Sequence, residues 1–142
     1  IEQSNFNFRK RKYDFAFIAT NWKRATKNIW LVKSLIKKLQ GSSYKILVVG
    51  NNNYISEKEF PEKDYPNLTV KSHVLRDEMI KLYSNIKNVI VTSFYESNPN
   101  VLVEAIYNGC NVITSENCGN SENLRKQLVN ENLYVFSRSL TN

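Results

Sequence analysis

The chain has 142 residues and carries 20 Lys and Arg against 13 Asp and Glu, a formal charge of +7. That length gives one domain with a single buried core, and no apolar run approaches the roughly 20 residues needed to cross a bilayer. Cys110 and Cys118 have neither metal-ligand spacing nor the density of a secreted disulfide framework, and nothing at the start reads as a signal peptide, so a reducing cytoplasm is the expected home.

In chain order, Ile1 fits a piece cut from a longer protein, and Arg9, Lys10, Arg11 and Lys12 form a basic run, expected as a solvated linker or domain-junction segment within a basic lead-in over 1–12. A basic stretch suits any polyanion, but no aromatic-interleaved nucleic-acid motif accompanies this one, so no nucleic-acid partner is expected. A strand is expected over 13–20, then a basic turn holding Lys23, Arg24 and Lys27. The helix predicted over 27–39 presents Ile29, Trp30, Val32, Leu35, Ile36 and Leu39 as its core-facing stripe, with lysines covering the rest. After a strand over 44–50, the polar segment 51–67, with Pro61 and Pro66, reads as a long loop with one helical turn near 56–60. Strands over 68–74, 88–94, 111–115 and 133–136 then alternate with helices over 76–86, 99–108 and 121–129. Such alternation predicts an α/β fold, a Rossmann-like doubly wound parallel sheet of about six strands with helices on both faces.

Candidate chemistry is densest where the chain reads Ser93-Phe-Tyr-Glu96-Ser-Asn-Pro-Asn100-Val101-Leu-Val-Glu104-Ala105. The strand before it leaves Glu96 at a carboxyl end of the sheet, where open α/β sheets bind ligands. Pro99 pre-sets the first turn of the next helix, and the amides of Asn100 and Val101 at its start attract phosphate. Glu104 lies on the polar stripe Asn100, Glu104, Asn108 and leans back toward the helix start, so two carboxylates flank one anion site. The basic turn after the first strand shares this rim, as does His73, the only histidine. Asp14, Asp64 and Asp77 are scattered and form no Asp-x-Asp metal site. One histidine leaves no Ser-His-Asp or Cys-His arrangement, and the glycine-rich loops of NTPases and NAD enzymes are absent, so hydride transfer and NTP hydrolysis are disfavoured.

The ordered series Glu96-x7-Glu104-Ala105, then Gly109-Cys110-Asn111-Val112-Ile113, then Cys118-Gly119-Asn120-Ser121-Glu122 resembles the donor-site motif of retaining GT-B glycosyltransferases, family 4 above all. Cys118 stands where that motif has the first glycine of its later loop. The resemblance implies the C-terminal, donor-binding half of a GT-B enzyme, with the acceptor-binding N-terminal domain absent from this chain. It implies that Glu96 contacts the donor sugar, that Glu104 holds the ribose hydroxyls, that the loop around Gly119 borders the sugar and that the loop at His73 cradles the base. The family's Lys-Gly step is similar to Lys27-Asn28, making Lys27 the first diphosphate ligand; Trp22 occupies the spacing of the family's Arg, and Lys23 or Arg24 stands in for it.

The implied reaction is retaining, metal-independent transfer of a hexose from a nucleotide diphosphate sugar, UDP- or GDP-linked, to a hydroxyl of a glycan, lipid or protein acceptor, with no cofactor. Glu96 and Lys27 are the expected catalytic residues; Glu104, Lys23, Arg24, Asn100, Val101, His73 and Gly119 are the expected donor-binding ones. Peripheral membrane association of the full-length protein is compatible with this reading. The alternative is a Rossmann-like module that binds nucleotide or nucleotide sugar without catalysis.

Overall fold

The computed structural model describes residues 8–51, 59–72, 74–93, 100–115 and 133–136. Its strands are β1 (Tyr13–Ile18), β2 (Ile46–Gly50), β3 (Leu68–Ser72), β4 (Ile86–Val91), β5 (Asn111–Ser115) and β6 (Leu133–Phe136). They form one sheet in the order β3-β2-β1-β4-β5-β6, and every neighbouring pair is parallel. The strand order reverses between β1 and β4, the place where a doubly wound sheet opens a crevice at its carboxyl ends.

Side-chain alternation divides the core between the two faces. All five residues of β2 are buried, as expected of a parallel strand covered on both sides. Ile46 and Val48 join one cluster, with Phe17, Trp22, Phe60 and the helix residues Val32 and Ile36. Leu47 and Val49 join the other, with Leu82, Tyr83, Leu102 and Ala105. The first cluster belongs to α1 (Ile29–Lys38), the second to α2 (Arg76–Tyr83) and α3 (Asn100–Tyr107).

The strands predicted over 111–115 and 133–136 have those bounds, but several other elements are shorter than the sequence pattern predicts, for identifiable reasons. A 3-10 turn, Ala25–Lys27, precedes α1, and the left-handed Asn28 at φ 57° separates the two. The helix predicted over 76–86 stops at Tyr83, because Ile86 is taken by the sheet, where it pairs with Tyr13. Within 51–67 the structure has a 3-10 turn at Glu62–Asp64; most of the turn predicted near 56–60, and the whole helix predicted over 121–129, lie outside the described residues.

Two expectations are overturned. Trp30 does not belong to the core stripe: it is 66% exposed, since it shares its helical row with Ser34 and Lys38 rather than with Val32 and Ile36. Nor is the run Arg9 to Lys12 a purely solvated lead-in. Arg11 is buried, donating from Nη1 to the carbonyl of Ile86 at 2.9 Å and from Nη2 to that of Asn108 at 3.1 Å. Beside it, Asp14 closes the amino edge of the sheet, taking the Lys87 ammonium at 3.0 Å and the amide of Lys45 at 2.8 Å. The amino edge is thus a structural seam.

Candidate donor-binding cleft

At the carboxyl edge lies a cleft of about 590 Å³. Its floor is the ends of β1 and β2, with Ile18, Ala19, Thr20, Val49, Gly50 and Asn51, and its walls are α2 and α3. Met79, Ile80, Val101 and Val103 make the walls apolar, while Arg76, Asn100, Glu104 and Asn108 give one side a polar lining. Apolar walls beside a few polar groups suit a ligand with an apolar ring and a hydroxylated, charged portion.

Glu104 is the carboxylate of that polar side, its side chain 37% exposed. Tyr83, on α2 and itself only 1% exposed, donates from its hydroxyl to Glu104 Oε2 at 3.3 Å. Arg76 Nη1 stands 4.0 Å from Oε1; as an exposed pair this contributes little by itself. Burial, and then the charge and hydrogen bond of Glu104, hold the Tyr83 proton far above the usual tyrosine range, so Tyr83 is a donor at any working pH. The Asn108 amide donates to the carbonyl of Glu104 at 2.7 Å, finishing the helix locally. Asn100 and Val101 occupy the first turn of α3 and both line the cleft, where helix amides lack intrahelical acceptors and the positive end of the helix dipole is exposed.

The cleft therefore brings together Glu104, Asn100 and Val101. Lys23, Arg24 and Lys27 are not part of its lining. They sit on the turn after β1, at the same edge of the sheet. Asn21 organises that turn, accepting the amide of Lys23 on its side chain at 2.9 Å, and Lys23 and Arg24 are exposed. Thr92, just past β4, donates from Oγ1 to the carbonyl of Lys27 at 2.7 Å, which ties the basic turn to the strand that leads toward Glu96. Glu96, His73 and Gly119 lie outside the described residues.

Trp22, at the spacing where a cation would be expected, is a core residue instead. It is 3% exposed, donates from its indole to the carbonyl of Val49 at 2.9 Å and meets Phe60 edge-on at 5.8 Å. Asn28 is in the left-handed region, which a glycine adopts without cost and an asparagine tolerates. A glycine at this position would adopt the same conformation. Tyr83 and Arg76 escaped the sequence reading, because Tyr83 is 21 positions from Glu104 and only the packing of α2 against α3 brings them together.

The sequence model for glycosyl transferases group 1 matches residues 2–136. The chain belongs to that family. No curated protein matches it, but solved structures of the same fold do. The crystal structure of TarM superposes with a TM-score of 0.72 at 19% identity, over 93% of this chain and 26% of that one. The catalytic domain of starch synthase IV from Arabidopsis thaliana, bound to ADP and acarbose, gives 0.65 at 13% identity, over 85% and 27%. The C-terminal domain of LpcC, a glycosyl transferase group 1 family protein from Francisella tularensis, gives 0.62 at 18% identity, over 96% and 74%. The chain thus spans about a quarter of the length of the first two and has the fold of one Rossmann-like half of a GT-B glycosyltransferase. Among the described residues of this family member, no helix is long and apolar enough to cross a membrane.

Proposed function

We propose that this chain is the C-terminal, donor-binding half of a retaining glycosyltransferase that takes a hexose from a UDP- or GDP-linked donor and passes it to an acceptor hydroxyl. The observation that carries the reading is the Glu104 carboxylate, held by Tyr83 in an apolar-walled cleft that the first turn of α3 also lines. Family membership supports it, as does the likeness to an isolated C-terminal domain and to an enzyme whose structure holds ADP.

In this reading the base lies against the apolar walls and the ribose hydroxyls donate to Glu104. The diphosphate takes the amides of Asn100 and Val101, with Lys27 and either Lys23 or Arg24 supplying cations from the turn after β1. As the bond to the sugar breaks, negative charge grows on the departing diphosphate, and donors already aimed there stabilise it more than they stabilise the ground state. Glu96 orients the sugar, and the cationic turn takes the place of a divalent metal. An N-terminal half outside this chain supplies the acceptor site and any membrane contact, and the reaction runs in the cytoplasm.

Thermal melting against UDP, GDP, ADP, their sugar conjugates, the free nucleosides and inorganic phosphate tests the reading. A ligand present at about 100 times its dissociation constant adds roughly 2.7 kcal/mol of stability. The expected result is that one base's diphosphate raises the melting temperature well beyond its nucleoside or phosphate. Equal, salt-sensitive shifts with every anion would reduce the site to general polyanion attraction.

A further inference from the structure

Glu104 does not stand in the cleft as a freely rotating carboxylate, and the residue that restrains it is itself fixed at both ends. The Tyr83 ring is packed in the core cluster with Leu102 and Ala105 of α3. Its backbone carbonyl accepts from Cys110 Sγ at 3.1 Å and from Arg11 Nη1 at 3.4 Å, so the amino-edge seam anchors it from below. Its hydroxyl tip reaches the cleft and meets Glu104 Oε2. The path runs from Arg11 through a rigid ring to the carboxylate.

We propose that Tyr83 is a positioning residue for donor recognition, engaging one oxygen of Glu104 so that the carboxylate is already oriented when a ribose diol arrives. A glutamate otherwise loses rotamer freedom when it is immobilised, and a side chain ordered before binding does not lose it again on binding. Arg76 cannot take this role, because its side chain is 85% exposed and 4.0 Å away. The inference rests on the reading that Glu104 meets the ribose. A purely structural account also exists, in which Glu104 merely satisfies a buried phenol. The two differ in what they do to selectivity.

The experiment is calorimetric titration of the protein with whichever of UDP, GDP and ADP binds tightest, and with its 2′,3′-dideoxy counterpart. Tyr83→Phe, Glu104→Ala and the double variant are compared with the unaltered chain. Phenylalanine keeps the ring that fills the core, and melting of each free variant records any loss of stability separately. At 3.3 Å the bond is longer than the 2.5–3.0 Å usual for a hydroxyl donor, so about a three- to tenfold loss is expected. Tyr83→Phe should lower the preference for the ribonucleotide by that factor, leave the dideoxy affinity unchanged, and have no further effect in the Glu104→Ala background. If Glu104→Ala abolishes the preference while Tyr83→Phe leaves it intact, or weakens both nucleotides equally, the positioning role is wrong and the ribose reading stands. If the unaltered chain shows no preference, or Glu104→Ala retains it, the ribose reading falls and the inference falls with it.

Discussion

Arg11 shows how one side chain joins elements far apart in sequence. It is 9% exposed and its guanidinium caps carbonyls at the start of β4 and after α3. Gly109 gives it room: a Cβ there would lie 2.8 Å from Nη2, and the backbone is at φ +84°. Gly109→Ala should therefore destabilise the fold by about 2–3 kcal/mol, through left-handed strain and displacement of the guanidinium together, read as a lower urea midpoint. Next to it, burial pushes the Cys110 thiol from the usual 9 up to about 11, against the opposing pull of Arg11. Between those values the unfolded chain releases its proton and the folded chain keeps it, so stability is full below pH 9 and falls as pH rises toward 11. Cys110→Ala should flatten that part of the stability curve, with the contribution of Tyr83 remaining. The basic run was legible in the sequence. That one of its members is a buried tie was not, because its acceptors are carbonyls 75 and 97 positions away.

At the scale of elements, periodicity was a good guide to existence and a poorer one to faces and ends. The row Ile29, Val32, Ile36, Leu39 of α1 does face the core, with Val32 and Ile36 buried and Ile29 and Leu39 partly so. Trp30 is apolar, but its helical spacing from Ser34 and Lys38 puts it on the solvent side. The two tryptophans should accordingly respond in opposite ways to truncation. Trp22→Ala removes a buried ring and leaves the carbonyl of Val49 without its indole partner, costing about 3–5 kcal/mol. Trp30→Ala changes an exposed surface and should stay within about 0.5 kcal/mol. Chemical denaturation of both variants checks the contrast. Element ends depart from the sequence pattern where neighbours compete for residues: Ile86 extends a helical pattern in sequence, but pairing with Tyr13 assigns it to β4.

Across the whole molecule, the two edges of one parallel sheet have different work. Its amino edge is closed by Asp14, Lys87 and Arg11, and its carboxyl edge carries the cleft and the basic turn. A parallel sheet of about six strands was legible, since strands alternating with helices predict it; the order of those strands was not. The polar stripe of α3 was legible too, because Asn100, Glu104 and Asn108 recur at helical spacing and all line the cleft. The partner that holds Glu104 was not, because no local rule relates the end of α2 to the middle of α3. The most direct measurement is calorimetric titration of the unaltered chain and of Glu104→Ala with UDP and GDP. If the cleft binds a nucleoside diphosphate through its ribose, one nucleotide binds the unaltered chain and loses roughly tenfold or more in the variant, equivalent to about 1.4 kcal/mol, while melting of the free protein records separately the cost of leaving the Tyr83 hydroxyl without its acceptor. Equal affinity in both proteins would contradict the account and return Glu104 to an ordinary half-exposed helix residue.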